Sequence, residues 1–215
     1  MTTRSLLLFT AMVSLFASLG CEGNKPAPKT EAAPAAATKA PEAPTFYTGR
    51  EAFQRMYAAA HLWAPDARPY RLQSDVTKES TGQDGKSGVW RAGFASASRR
   101  SIKAFVWSGI HSDDAPAPGV SSGTEDTYNP SNSSTQVFDA GFLKIDSDKA
   151  FEAAQPHGGA KIIKANPKQT VNYLLEWNPS ENVLMWHVIY GPNRSEAKLS
   201  VSVNASTGAY LRVDK

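Results

Sequence analysis

The chain has a single cysteine in 215 residues, which excludes an intrachain disulfide and any zinc or iron–sulfur site built from several thiolates. It is almost as poor in histidine: His61, His111, His157 and His187 are the whole set, and none forms a His-Glu-x-x-His pair or another short metal-ligand spacing. A glycine-rich phosphate loop, a Gly-x-Ser-x-Gly elbow and a regularly spaced Asp/Asn calcium loop are all missing. Net charge is small as well, +3 from 23 basic and 20 acidic residues, so no field strong enough to steer nucleic acid is expected. No nucleic-acid partner, cofactor or metal is implied. What the chain does have is 41% apolar against 20% charged residues, enough for one medium domain or two small ones.

Residues 1–20 carry Arg4, then an apolar run from Leu6 to Ala17, then small residues up to Cys21. At ~1.5 Å per residue such a run is too short to cross a ~30 Å hydrocarbon core comfortably and reads as a secretory signal. No second apolar run of membrane length follows. Residues 22–44 are rich in Ala, Pro, Lys and Glu and hold no aromatic or large aliphatic side chain. They cannot bury enough apolar surface to offset the entropy of ordering, and Pro26, Pro28, Pro34, Pro41 and Pro44 bias them toward a semi-extended spacer. Ser18-Leu19-Gly20-Cys21 resembles the lipobox of bacterial lipoproteins, although Ser18 stands where that family usually has leucine. The resemblance implies that Cys21 becomes the first mature residue and carries lipid, palmitate among its acyl chains, and that residues 21–44 tether a folded part facing the periplasm or the cell exterior. Ordinary signal cleavage after Gly20 is the alternative.

Self-similarity divides the remainder. Ala52-Phe53 recurs 98 positions later as Ala150-Phe151, Trp90 to Phe94 is echoed 96 positions later by Trp186 to Tyr190, and Ile102, Ala104 and Val106 align with Leu199, Val201 and Val203 at 97. Three similar offsets in one order point to a duplication. The expected organisation is a first helix-plus-sheet unit over 45–110, a long loop or linker over 111–135, and a second unit over 136–215.

In the first unit, Thr48-Gly49-Arg50-Glu51 is a capping box opening a helix over 49–61, whose apolar positions Phe53, Met56, Tyr57 and Ala60 recur at helical spacing. Strands are expected over 70–80 and 88–96, joined by turn residues, and over 100–108. In the last of these, Phe105 and Trp107 lie on the face opposite Ile102 and Val106. In the second unit, Asp146-Ser147 caps a helix over 148–155 ended by Pro156 and Gly158, and strands are expected over 161–165, 171–177, 183–190, 198–204 and 209–213. A helix packed on an antiparallel meander buries the one apolar face each element has, giving an α+β protein of two tandem helix-plus-antiparallel-sheet units.

The second unit resembles a PepSY-type domain, the PepSY/cystatin-like helix-plus-sheet module of peptidase propeptides and many exported bacterial proteins. Ser147 to Ala154 resembles its opening helix. Val203-Asn204-Ala205-Ser206-Thr207-Gly208 resembles its closing turn, with Asn204 where the family mostly has Asp. The resemblance implies a binding or inhibitory module and supplies no catalytic residue.

Candidate binding residues come from two features. The stretch from Ile110 to Thr135, dense in Ser, Asp, Pro, Gly and Asn but containing Tyr128, is either an interdomain linker or an ordered binding loop. Phe105, Trp107 and Trp177 are large aromatics on a sheet with a helix expected on only one side, so they either pack between the units or meet a ligand. His111-Ser112-Asp113-Asp114 reads as a solvated acidic loop. The expectation is therefore an exported, membrane-anchored, noncatalytic binding module whose partner is an envelope protein, a peptide or a small hydrophobic ligand. An inhibitor or chaperone of a secreted peptidase is the alternative, and a small-ligand-binding protein or hydrolase a further one. An enzyme would need His, Asp or Glu side chains converging in one concave pocket.

Overall fold

The structure, a computed structural model, describes residues 43–214; the signal, Cys21 and nearly all of the tether lie outside the described residues. A two-residue strand, β1 (Tyr47–Thr48), leads into helix α1 (Gly49–Trp63). Glu51 reaches back as the capping box requires, accepting from the Thr48 N–H at 2.9 Å and the Thr48 hydroxyl at 3.0 Å. Ala52, Phe53, Met56 and Ala60 form its buried face, Tyr57 is half-buried, and the helix stops at Ala64 before Pro65. Strands β2 (Arg68–Ser74), β3 (Lys86–Ser87), β4 (Val89–Ser96), β5 (Ser101–Ser108) and β6 (Gly119–Thr127) follow.

The second half opens with α2 (Ser147–Ala154), passes through a single 3-10 turn, and re-forms a helix, α3 (Gly159–Ala165). Strands β7 (Val171–Asn178), β8 (Val183–Tyr190), β9 (Leu199–Asn204) and β10 (Tyr210–Val213) complete it. In the turn before β10, the Asn204 side-chain oxygen accepts from the N–H groups of Ser206 and Thr207 at 2.8 and 3.1 Å, and Gly208 takes φ +78°. Asparagine thus supplies the local turn bonds without a charge.

Eight strands make one antiparallel sheet in the order β10-β9-β8-β7-β2-β4-β5-β6, while β1 and β3 pair separately. The first half contributes α1 and four strands of this sheet, and the second contributes α2, α3 and the other four. Their first strands, β2 and β7, meet at its centre with Leu72 opposite Leu175. All described residues fall in a single compact unit, and the two expected units contribute to one sheet and one core. The reason is backbone pairing: β2 and β7 would otherwise each leave a buried edge of unpaired amides.

The same contacts recur in the two halves. Trp90 Nε1 donates to the Tyr47 carbonyl at 2.9 Å and Trp186 Nε1 to the Ile145 carbonyl at 2.9 Å, each acceptor preceding the N-cap of its own helix. The two indoles meet edge to face at 6.3 Å. The helices also meet N-terminus to N-terminus: Asp146 Oδ1 accepts from Ser147 N at 2.7 Å and from Arg50 N at 2.8 Å, so one carboxylate serves the positive ends of both dipoles.

Two expectations give way. Residues 161–165 form helix α3, not a strand. The short apolar pair Ile162-Ile163 suits either state, and Gly158 at φ +110° redirects the chain so that Ile162 N bonds Gly158 O. The stretch over 111–135 is not a structureless linker, since β6 lies inside it and pairs with β5 along its length. Its Ser, Thr and Gly composition hid a strand because both faces of β6 are exposed and no apolar alternation is required there.

Candidate functional site

The helices cover one face of the sheet. Phe105 and Trp107 point to that face and are 4% exposed, with Phe105 tilted against Trp63 at 6.3 Å and Trp107 stacked on Tyr47 at 4.4 Å. Both are buried core residues beneath α1. It is Val106 of the other parity that faces away, into a small cluster with Val89 and Ile110. The alternation was legible, but which face the helix would cover was not. Trp177 is half-buried at the end of β7 and packs on the exposed Phe142 at 5.6 Å. Three strand steps separate β7 from β5, ~14 Å, so Trp177 and the Phe105–Trp107 pair do not form one site. Tyr128, also half-buried, directly follows β6, and its N–H continues the β5 ladder by donating to the Arg100 carbonyl at 3.0 Å.

The helix-free face holds polar chemistry that motif reading missed. His187, 1% exposed on β8, has Asp214 Oδ2 at 2.8 Å and Ser202 Oγ at 2.9 Å from Nδ1, with Glu176 Oε1 3.3 Å from Nε2. Arg194 reaches the same ring and pairs with Glu176 at 2.8 Å. A seryl triad would place nucleophile and carboxylate on opposite ring nitrogens. Here Ser202 shares Nδ1 with Asp214 while Glu176 lies on Nε2, and Ser202 donates to Asp214 at 2.7 Å, so the serine proton is directed at a carboxylate and not at the ring. The hydrogen bond from His187 pushes the Glu176 carboxyl down to about 2, with Arg194 adding to it against partial burial. For Asp214, burial opposes ionisation, but hydrogen bonds from His187 and Ser202 outweigh it and hold the carboxyl well below the usual range.

His111 and Asp113 do not gather into a cation site. Asp114 pairs with Lys78 at 2.6 Å, both exposed, and no group of three His, Cys, Asp or Glu suited to a metal occurs among the described residues. Also on the helix-free face, a cleft of about 350 Å³ lies over the central β2–β7 pair, flanked by Thr77, Asp114 and Arg194.

The two sheet edges differ. β10 is four residues long and its register is interrupted between Tyr210 and Arg212. β6 is nine residues long and exposed throughout, carries neither proline nor lysine, and presents small side chains up to Thr124, although its register with β5 also shifts between Lys103 and Phe105. Glu125 near its end is held by Trp63 Nε1 at 2.8 Å and Arg99 at 3.1 Å. No helix among the described residues is long and apolar enough to cross a membrane.

No protein-family model matches the chain, and no curated protein matches it. A solved structure, described as "a putative lipoprotein" from Clostridium difficile 630, is similar with a TM-score of 0.49 at 11% identity, covering 76% of this chain and 91% of that one. The fold in hand is an α+β protein with few helices on one large antiparallel sheet.

Proposed function

We propose that the protein is an exported, noncatalytic binding module, held to a bacterial membrane by lipid on Cys21, that receives an extended segment of an envelope protein along β6. The nine-residue exposed edge carries this reading. Natural sheets blunt a free edge with proline, charge, bulges, shortness or a cover; β6 has one register shift and an acidic pair near its end, but its Gly119–Ser122 stretch has no proline, charge or cover, so the unpaired amides there are a template for one more strand. The small Ser, Gly and Thr side chains leave room for a partner's larger ones. Support for the anchor comes from the signal-like run over 1–20, the lone cysteine at its end and the Pro-rich spacer. Support for a noncatalytic role comes from the burial of His187 and from the Ser202 hydroxyl donating to Asp214 and not to the ring.

The fold is read as a duplicated PepSY-like unit whose copies have fused into one sheet. The matched indole–carbonyl bonds and the Asn204–Gly208 turn support that reading.

The test is a photo-crosslinking residue at Thr124 in the full chain, expressed in cells. One defined extended peptide of one envelope protein should be captured, and Ser121→Pro or Ser122→Pro should abolish the capture. Successive N–H groups of a strand point to opposite sides, so one of these two variants removes only an outward donor and leaves the β5 pairing intact. Capture that survives both substitutions would sink the reading. A co-exported peptidase as the captured protein would make the same edge that of an inhibitor or chaperone.

A further inference from the structure

The cleft over β2 and β7 is independent of the β6 edge and has its own chemistry. Among the described residues, two buried side-chain polar atoms have no hydrogen-bond partner, Arg71 Nε and Thr77 Oγ1, and both residues line this cleft. Such atoms are costly to leave unpaired, and a guanidinium donor more so than a neutral one. The other charged groups around the cleft are already engaged: Asp75 with Arg91 at 2.6 Å, Asp114 with Lys78 at 2.6 Å, and Arg194 with Glu176 at 2.8 Å. Arg71 stands across the β2–β7 register from Glu176, but among the described residues that line the cleft it is the cation with no ion pair within 4.0 Å. Beside it the walls turn apolar, with Leu174, Ile189 and Pro192. A volume of about 350 Å³ lies within the range of small-molecule sites.

We infer that this cleft binds a small organic carboxylate, with the carboxylate on Arg71 and Thr77 and an apolar tail against Leu174 and Ile189. The planar fork of arginine matches a carboxylate, and the threonine hydroxyl donates to the same acceptor. A single guanidinium balances one negative charge, and the other charged groups at the margin are already paired, so the site prefers a monoanion to a phosphate dianion. The free acid of a small molecule and the C-terminal carboxylate of a peptide share this chemistry, and the two are separated by experiment.

The experiment is calorimetric titration of the chain from residue 21 onward, in detergent, with hexanoate, N-acetyl-leucine, hexanamide and hexyl phosphate. At least one of the two carboxylates should bind, with hexanamide and hexyl phosphate each about tenfold weaker or worse. Preference for hexanoate assigns the free acid, and preference for N-acetyl-leucine assigns a peptide terminus. Arg71→Gln should lose the binding, Arg71→Lys should retain part of it, and Thr77→Val should weaken it about fivefold. Unfolding midpoints equal to that of the parent chain show that these variants are folded. Equal binding of hexanoate and hexanamide, no binding of either carboxylate, or unchanged affinity in folded Arg71→Gln would overturn the inference. None of these results depends on β6.

Discussion

The Gly49 N–H donates to Ser147 Oγ at 2.7 Å, joining the first residue of α1 to the first residue of α2 across 98 positions of sequence. The same hydroxyl donates onward to the Gly85 carbonyl at 2.6 Å, so one serine ties both helix starts to the turn before β3. It is fully buried, where a lost partner is not replaced by water.

Ser147→Ala should therefore cost about 2 kcal/mol of unfolding free energy, because it leaves a buried N–H and a buried C=O unpaired. Asp146→Ala should cost a similar ~2 kcal/mol through loss of the shared cap, while Asp146→Asn, which keeps the acceptor oxygen, should cost less. Urea unfolding of the three variants checks the order.

Gly49 admits no side chain. A Cβ there would lie 2.6 Å from Trp186 Cη2 and 3.2 Å from Trp90 Cη2, both rings being fully buried in the core. Gly49→Ala is expected to destabilise by about 1–3 kcal/mol despite alanine's better helix propensity, since overpacking outweighs it. A gain in stability would show that the two indoles can separate.

Acid should destabilise the protein through the carboxylates around His187 and through Asp66 in the turn between α1 and β2. Glu176 and Asp66 are both held at about 2, Asp66 by hydrogen bonds from Ser96 and then Ser98, and Asp214 is lowered as well. Folded values below the unfolded ones mean that the stabilisation is present above pH ~4.5 and is lost as pH falls toward 2. Denaturant midpoints measured from pH 7 to 2 should drop over that window, and Glu176→Gln should flatten the drop.

Phe105→Ala and Trp107→Ala should each cost about 3–5 kcal/mol, as expected for large side chains removed from a packed core, with Trp177→Ala costing less. Chemical denaturation separates these cases. A pair of near-neutral results at Phe105 and Trp107 would return them to the list of ligand contacts.

For the anchor, Cys21→Ser should move the protein from the membrane to the soluble exported fraction and abolish incorporation of labelled palmitate. Retention in the membrane fraction without label would argue against lipidation.

Much of the backbone plan was legible because it rests on local periodicity. The Thr48–Glu51 capping box, the Phe53–Met56–Ala60 face and the alternation in β5 and β9 each lie within one element. The site was not legible in the same way. Arg71, Thr77 and His187 belong to no motif, and the one available signal for them was parity: Arg71 opposes Leu72 on β2, and His187 opposes Trp186 and Val188 on β8. Parity says that these side chains share a side of their strand but not that the side lacks helices, because that depends on how α1 and α2 cross the sheet.

The lone cysteine, the apolar run before it and the proline-rich spacer are properties of the sequence alone, and so is the 96-to-98-residue echo along the rest of the chain. Tertiary structure decided that the halves would meet strand to strand at β2 and β7 and helix start to helix start at Asp146. It thereby buried Phe105 and Trp107, left β6 open at one margin and gathered Arg71 with Thr77 over the centre. Periodicity is set by neighbours in the chain, whereas burial and exposure are set by which surfaces the completed sheet brings together.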